Sequence, residues 1–505
     1  MYFPNWRKFC FIILVMAAAG GLLWYNDDGM SAGWPTNVLR NWLQYGLGPM
    51  HGALVTNDGG FDAVAHPNVY PGMSPWYLYP VYFSTQALDW TGLGTLSYHL
   101  LLAGFVFWGI WSLLGKTPLA LTVAALCVLS PGYGRWQRLL DPNVLAVLVG
   151  FPYAALINHQ LQKSRQGLQS WLLVAVATVA FVPANWTTAW FLAPFGIYLL
   201  CRPGQQPLRP RLIYLSLTAV GSLLFVYFSV VARQTTSIPL TPTPPASGSF
   251  IGGYTWGTNG YYEGLSTVRF LQRVVIVSLI GLLPVWCVWG WRTARIGWKQ
   301  PATAGISLLP FLMAAAQIAV MRNYFCHHPW MAAPVVLTGL VFSLALLPNN
   351  ATPVEADATQ IKGPAVAAAI AAVYGFIIIA GLRANNEDTL AMLHLVRPNT
   401  ARTDWIVIVQ TQDSTLAMQA NRLSAELDRH VVAVADWQEI PTNQSFVILA
   451  TVPRTDGVLL AQNNNSAGPG GWNRAVNWFR HNVSRRQSGD AIELPGSHYL
   501  YRPAR

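Results

Sequence analysis

Side chains that could do chemistry occur in a few short clusters along an otherwise apolar chain. The first cluster is the adjacent pair Asp27 and Asp28, which follows an apolar run from Phe9 to Tyr25. Two carboxylates at the edge of such a run are costly to place against lipid. They are either solvated loop residues that end a span or part of a functional site. A carboxylate beside an exterior cavity can act as a general base on an acceptor hydroxyl.

Three further clusters contain basic side chains, and two of the three also contain carboxylates. They are Arg135, Arg138 and Asp141 in 133–142; Arg322, Tyr324, His327 and His328 in 322–329; and His51, Asp58, Asp62 and His66 in the first exterior segment. For any single Arg or His of this kind, a structural role at the membrane interface is the more frequent explanation. Convergence of distant segments on one membrane face favours a site instead.

Arginine and histidine beside a carboxylate suit one reaction class in particular. Arginine can hold a phosphate through two parallel hydrogen bonds. Such cations stabilise the charge that develops on a phosphate when it leaves. A carboxylate base and a phosphate-binding group together predict transfer of a sugar from a polyprenyl-phosphate carrier to an acceptor hydroxyl.

The composition defines the class of protein that must position these groups. The chain has 505 residues, of which 53% are hydrophobic and 10% are charged. A soluble globular protein carries about 25% charged residues, so an integral membrane protein is expected. The formal charge of +11 fits membrane topology better than nucleic-acid binding, because the C-terminal region has no basic cluster with interleaved aromatic residues.

Apolar runs of spanning length predict about eleven transmembrane helices. They lie at about 9–25, 95–115, 117–131, 142–159, 170–184, 187–201, 211–232, 272–291, 303–321, 330–347 and 363–382. With the N-terminus in the cytoplasm, every lysine falls on the cytoplasmic side, and every acidic residue before Glu355 falls on the exterior side or just within it. This is the positive-inside pattern, and it places the C-terminal region outside.

The chain is therefore expected to have two parts. Residues 1–383 form the membrane domain, with long exterior loops at 26–94 and 233–271, and the first of these loops holds an interfacial helix from Trp34 to Leu47. Residues 384–505 form a small extracytoplasmic α/β domain. Its predicted strands are 405–410, 431–435, 445–452 and 498–501, and its predicted helices are 414–429 and 472–482.

In layout and motifs the chain resembles the GT-C glycosyltransferases, the class of bacterial aminoarabinose transferases and protein O-mannosyltransferases. The similar features are the acidic pair Asp27-Asp28, the element Arg138-Leu-Leu-Asp141-Pro142, the basic and Tyr-containing segment from Arg322 to Pro329, and an exterior α/β domain after the last span. The resemblance implies Asp27 or Asp28 as catalytic base and Asp141 as a second carboxylate. It implies that Arg138, Arg322, Tyr324, His327 and His328 lie near the carrier phosphate.

One departure from that family concerns Gly29. The family's acidic pair is commonly Asp-Glu and leads straight into a helix, whereas here the helical pattern begins only near Trp34. Which aspartate faces the cavity stays open, and Asp58 or Asp62 could replace them, with His66 nearby. The expected partners are a polyprenyl-phosphate-linked sugar, a glycan, lipid or protein acceptor of the cell envelope, and membrane lipids, with no nucleic acid.

No cofactor is expected, because the sequence offers no cage of three hard ligands. A divalent metal is the less favoured alternative, since oligosaccharyltransferase relatives use one. Two other functions compete with transfer. The first is a transporter or flippase of lipid or polysaccharide, against which mid-span charges are scarce and no repeat is evident. The second is a non-catalytic assembly subunit that keeps a GT-C-like shape. The expected location is the plasma (inner) membrane.

Overall fold

The structure is a computed structural model, and it describes the following parts of the chain. They are residues 34–50, 52, 54, 78–87, 93–115, 118–129, 142–161, 167–182, 187–202, 214–216, 218–220, 267–322, 325, 331–348, 395–401, 404–409, 430–436, 438, 440, 445–450, 457–464 and 497–503.

Helices make up the described part of the chain up to residue 348. They are α1 (Trp34–Tyr45), α2 (Tyr79–Ala87), α3 (Leu93–Leu113), α4 (Pro118–Leu129), α5 (Pro142–Leu161), α6 (Leu168–Phe181), α7 (Thr188–Cys201), α8 (Thr267–Gly297), α9 (Pro301–Ser307), α10 (Leu309–Val320) and α11 (Ala332–Leu346). The predicted spans from 95–115 to 187–201 and from 272–291 to 330–347 coincide with helices. The number of spans and their orientation stay predictions.

Helix α11 lies at the centre of the bundle. Every one of its residues except Ala345 is buried, and it contacts α3, α5, α7, α8, α9 and α10. Its two buried hydroxyl groups are both bonded: Thr338 donates to its own helix at the Pro334 carbonyl, and Ser343 accepts from the Trp289 indole at 2.7 Å. A helix that is apolar on all sides belongs in a core, and α11 occupies one.

Glycines allow the helices around this core to approach closely. A Cβ on Gly109 of α3 would lie 2.6 Å from backbone atoms of Phe151 and Pro152 in α5, and one on Gly150 would meet the ring of Phe191 in α7. A Cβ on Gly339 of α11 would lie 2.9 Å from the Cα of Phe311 in α10. Small residues at helix crossings are typical of membrane bundles, where packing replaces the hydrophobic effect as the main attraction.

The outer helices leave apolar side chains uncovered. On α6 these are Leu168, Leu172, Leu173, Val176 and Val179, and on α8 they are Leu271, Val275, Leu279 and Leu283. Strips of this kind are unusual on a water-soluble monomer and suit contact with lipid tails. Within the described residues, Pro301–Val320 has the length and composition to cross a membrane, and four shorter apolar helices accompany it.

Helices α1 and α2 form a small cluster of their own. Val38, Leu39 and Trp42 of α1 are fully buried, and the Trp42 ring lies 5.3 Å from that of Tyr79 and 6.0 Å from that of Tyr82, both in α2. The predicted helix at 34–47 is present, but its apolar face packs on α2 instead of lying against lipid. Helix α2, which was not predicted, continues this packing onto α3.

The described residues after 404 form a five-stranded sheet. Its strands are β1 (Trp405–Val409), β2 (His430–Val434), β3 (Phe446–Ala450), β4 (Gly457–Asn464) and β5 (Ser497–Pro503), in the order β2-β1-β3-β5-β4. Strands β2, β1 and β3 are parallel, and β5 is antiparallel to both of its neighbours. Every residue of β1 and β3 is buried, as expected for parallel strands covered on both faces.

Three predicted boundaries differ from the structure. The span 303–321 is two helices, α9 and α10, which meet at Leu308, close to a proline that cannot donate to the helix ladder. Helix α8 has a kink at Leu282, where the backbone leaves helical geometry, and it continues to Gly297, beyond the predicted end at 291. Strand β4 was not predicted. The spans 9–25 and 363–382, most of 211–232, and the helices 414–429 and 472–482 lie outside the described residues.

Candidate functional site

Arg322 is the one predicted site residue within the part of the chain that the structure describes. The others lie outside it: Asp27, Asp28, Asp58, Asp62, His66, Arg138, Asp141, Tyr324, His327 and His328. The geometry of the site is therefore built from Arg322 and from the helices that lead into the segments of the other residues.

Arg322 follows the end of α10 and is half-buried. Its guanidinium carbon lies 5.9 Å from the centre of the Phe270 ring in the first turn of α8. A guanidinium over an aromatic face is attracted by the ring quadrupole, so Phe270 helps to fix the position of the charge. No sequence signal points to this pair, because its members are distant in the chain and no periodicity relates them.

The segment around Arg322 also adjoins the start of α7. The Phe325 ring lies 5.0 Å from that of Trp190, and the Gln317 amide donates to the Ala189 carbonyl at 3.4 Å. Trp190 and Phe325 are buried. The end of α10 therefore lies beside the first turn of α7 and the first turn of α8.

Helix α5 begins at the same end of the bundle as α7. Gly150 of α5 packs on Phe191 of α7, and further along both helices Tyr153 lies next to Phe195, with ring centres 6.4 Å apart. The two contacts follow each other in the same order along both helices, so α5 and α7 run in the same direction. Asp141 directly precedes Pro142, the first residue of α5. This connects the segment 133–142 to the end that carries Arg322.

Helix α11 is the fourth helix that begins at this end of the bundle. It begins at Ala332, shortly after the segment 322–329, and runs alongside α7, since Phe342 near its end stacks on Phe195 and Tyr198 near the end of α7. Among the described helices, α5, α7, α8 and α11 all begin at the end where α10 terminates. None of the four has an acidic residue in its first turn.

Arg322 and the helix N-termini contribute positive charge at this end of the bundle, and the C-terminus of α10 offsets part of it. A helix N-terminus carries about half a positive elementary charge, and its first N–H groups lack partners within the helix. The Arg322 guanidinium and the adjacent N-termini of α7 and α8 together favour an anion, and phosphate is the anion that helix N-termini commonly bind. By the positive-inside prediction this end is extracytoplasmic.

No metal site accompanies these groups within the described residues, where no cluster of three or more His, Cys, Asp or Glu occurs. Most of the carboxylates and histidines of the predicted site lie in other segments, so the expectation of no metal stays a prediction.

Two solved structures of ArnT from Cupriavidus metallidurans are similar to this chain. The apo structure matches with a TM-score of 0.48 and 12% identity, over 88% of this chain and 93% of that one. The structure bound to undecaprenyl phosphate matches with a TM-score of 0.47 and 12% identity, over 87% and 93%. Both matches are likenesses to solved structures of ArnT at TM-scores below 0.5.

No protein-family model matches the chain. No curated protein matches it either. At 12% identity the likeness to ArnT assigns neither a substrate nor a catalytic residue to this chain.

Proposed function

We propose that this chain is a membrane glycosyltransferase that moves a sugar from a polyprenyl-phosphate donor to a cell-envelope acceptor on the extracytoplasmic face. The observation that supports it is the position of Arg322, at the end of the bundle where α5, α7, α8 and α11 begin. A lipid phosphate enters such a site from the membrane while its headgroup reaches the water-exposed end.

The reaction requires a base and a stabilised leaving group. In the proposed step the acceptor oxygen attacks the anomeric carbon while its proton passes to the carboxylate of Asp27 or Asp28. The bond from the anomeric carbon to the phosphate oxygen breaks, and the electron pair leaves with polyprenyl phosphate. The negative charge that develops there is stabilised by Arg322 and the helix N-termini.

The remaining predicted residues take roles in the same scheme. Arg138, Tyr324, His327 and His328 join Arg322 around the donor phosphate. Asp141, which directly precedes α5 in the sequence, lies near the sugar or the acceptor. Asp58 and Asp62 are the alternative bases, with His66 beside the acceptor.

The base assignment is tested in cells by the fate of the donor lipid. Single Asp27→Asn and Asp28→Asn variants replace the chromosomal copy, and polyprenyl-phosphate sugars are quantified in lipid extracts by mass spectrometry. Loss of a general base lowers the rate by about 10²–10⁴-fold, so the donor accumulates in at least one variant. If neither variant accumulates donor and the deletion strain does, the base is another residue. If the deletion strain shows no accumulation, the chain is not the transferase.

The phosphate assignment is tested by binding. Arg322→Ala should weaken binding of undecaprenyl phosphate, measured by native mass spectrometry on purified full-length protein, by about 10–100-fold, the value of a charged hydrogen bond. Arg322→Lys keeps the charge but not the paired hydrogen-bond geometry, so its affinity for undecaprenyl phosphate should lie between those of wild type and Arg322→Ala. Equal binding by wild type and the Ala variant would remove Arg322 from the site. Donor binding without any transfer to acceptor would favour a carrier or assembly role.

A further inference from the structure

The end of α8 far from Arg322 carries an exposed face of aromatic and basic side chains. Trp291, Arg295, Trp298 and Lys299 are all exposed, with Trp298 at 91%. The amide of Trp298 bonds the Ala294 carbonyl and that of Gln300 the Ile296 carbonyl, so helical geometry extends through this stretch. Spacings of four, seven and eight residues place the four side chains on one side of the helix. We name them the basic-aromatic face.

The basic-aromatic face is ordered and joined to the bundle. The Arg295 guanidinium carbon lies 5.5 Å from the centre of the Trp291 ring. The neighbouring Arg292 points into the protein instead, where its Nη2 donates to the Pro348 carbonyl at 2.8 Å, just after α11. Arg292 therefore ties the end of α8 to the end of α11, and the two outward cations, Arg295 and Lys299, have no such structural duty.

The exposed strip of α8 leads directly into this face. Every fourth residue from Leu271 to Arg295 is exposed: Leu271, Val275, Leu279, Leu283, Cys287, Trp291 and Arg295. The strip is apolar up to Cys287, and it becomes aromatic and basic at Trp291. This is the sequence of environments met on passing from lipid tails to headgroups, where Trp and basic residues are enriched.

The charge of the face has no acidic counterpart nearby in the sequence. No Asp or Glu occurs between residues 264 and 354, which includes all of α8, α9, α10 and α11. The positive-inside prediction places this end of α8 in the cytoplasmic leaflet, whose surface is negative because of its anionic lipids. Charge and hydrophobicity thus complement an anionic headgroup with acyl chains below it.

We propose that the basic-aromatic face docks on the headgroup of an anionic phospholipid in the cytoplasmic leaflet. The Trp291 ring lies at the boundary between acyl chains and headgroups and the Trp298 ring further out among the headgroups, with the Arg295 guanidinium and the Lys299 ammonium on the lipid phosphate. The site is separate from the Arg322 end and independent of the transferase proposal, because its test reads lipid binding alone.

The test titrates purified full-length protein with phosphatidylglycerol or phosphatidylcholine and counts bound lipid by native mass spectrometry. Wild type should bind phosphatidylglycerol more tightly. Arg295→Gln and Lys299→Gln should each weaken that binding about fivefold and together about thirtyfold, as expected for a basic residue near a charged membrane surface. Binding of phosphatidylcholine should not change. The control is Arg502→Gln, which removes an exposed charge from strand β5.

Three results would overturn the proposal. The first is a double variant that binds phosphatidylglycerol as wild type does while remaining monodisperse on gel filtration. The second is an equal loss with the Arg502→Gln control. The third is displacement of the lipid by inorganic phosphate at an equimolar level, since the site would then select a free anion instead of a lipid headgroup.

Discussion

The close approach of α3 to α5 gives the sharpest test of the bundle. Gly109→Ala places a methyl group 2.6 Å from the backbone carbon of Phe151 and 2.6 Å from the backbone nitrogen of Pro152. Ordinary carbon contacts are about 3.5–4.0 Å, so one helix must move by about 1 Å. Overpacking of this kind costs about 1–3 kcal/mol, and backbone atoms cannot turn aside as a side chain can.

The expected net loss of stability follows from two opposing terms. Alanine favours a helix over glycine by about 1 kcal/mol, which offsets part of a strain near the upper end of about 3 kcal/mol. The net loss is about 2 kcal/mol. For a larger domain this lowers the thermal midpoint by about 4–8 °C.

A matched control separates the two terms. Gly290 lies in α8, and no heavy atom lies within 4 Å of the position that an alanine methyl group would take there, so Gly290→Ala gains propensity without strain. Its midpoint should equal or exceed that of wild type. The midpoints are measured by tryptophan fluorescence on purified protein in detergent. A Gly109→Ala variant as stable as Gly290→Ala would refute this packing of α3 on α5.

Gly109→Ala should also change the activity of the protein. Asp141 directly precedes α5 in the sequence. If it acts near the sugar or the acceptor as proposed, a shift of about 1 Å in α5 should misplace it, and a misplacement of this size can cost about 100-fold in rate. Donor lipid should accumulate in cells that carry Gly109→Ala at wild-type protein level, and not in cells that carry Gly290→Ala.

Two further predictions concern single hydrogen bonds. Ser343→Ala leaves the Trp289 indole N–H without its 2.7 Å acceptor and should lower stability by about 1–3 kcal/mol. The loss from Trp289→Phe should be smaller in the Ser343→Ala background than in wild type, and strictly additive losses would contradict the bond. Burial raises the pKa of Tyr79, whose hydroxyl donates to the Gly52 carbonyl. Tyr79 in the folded protein therefore keeps its hydroxyl proton at a pH where Tyr79 in the unfolded chain begins to lose it. The contribution of Tyr79 to the free energy of unfolding is present below a pH of about 10 and is lost as pH rises further. A Tyr79→Phe variant should lack this loss in pH-dependent thermal unfolding, and an unchanged profile would contradict it.

Much of the helical layout could be predicted because spans are long apolar runs. The helices from α3 to α7 begin and end within a few residues of the predicted spans. The C-terminal end of α8 was harder to predict, because the three charged residues Arg292, Arg295 and Lys299 suggest a loop. The structure continues the helix there, with Arg292 bonded to the end of α11, a contact that sequence spacing cannot show.

Strand β4 was missed for a different physical reason. It runs at the edge of the sheet beside β5, with exposed Val458 and Leu459 and a register shift before Ala461. Alternation is the signal for a half-buried strand, and a bulge interrupts it. Strands β1 and β3 were found because both are buried on both faces and therefore read as unbroken apolar runs.

The candidate site was predictable only as a set of residues. The sequence named Arg322 and Asp141, and the predicted topology put both on one face. It could not show that Phe270 lies under the guanidinium or that α7 and α8 begin beside it, since such contacts join residues that are distant in the chain.

The central position of α11 has a consequence for assembly in the membrane. Within the part of the chain that the structure describes, the six helices with which it makes most of its contacts all precede it, so each is synthesised while the space for α11 is still unoccupied. Until α11 arrives, lipid or a chaperone must cover the surfaces that it later buries. The bundle can close only late in translation. A chain that stops before Ala332 would therefore expose these surfaces and become a substrate for membrane proteases.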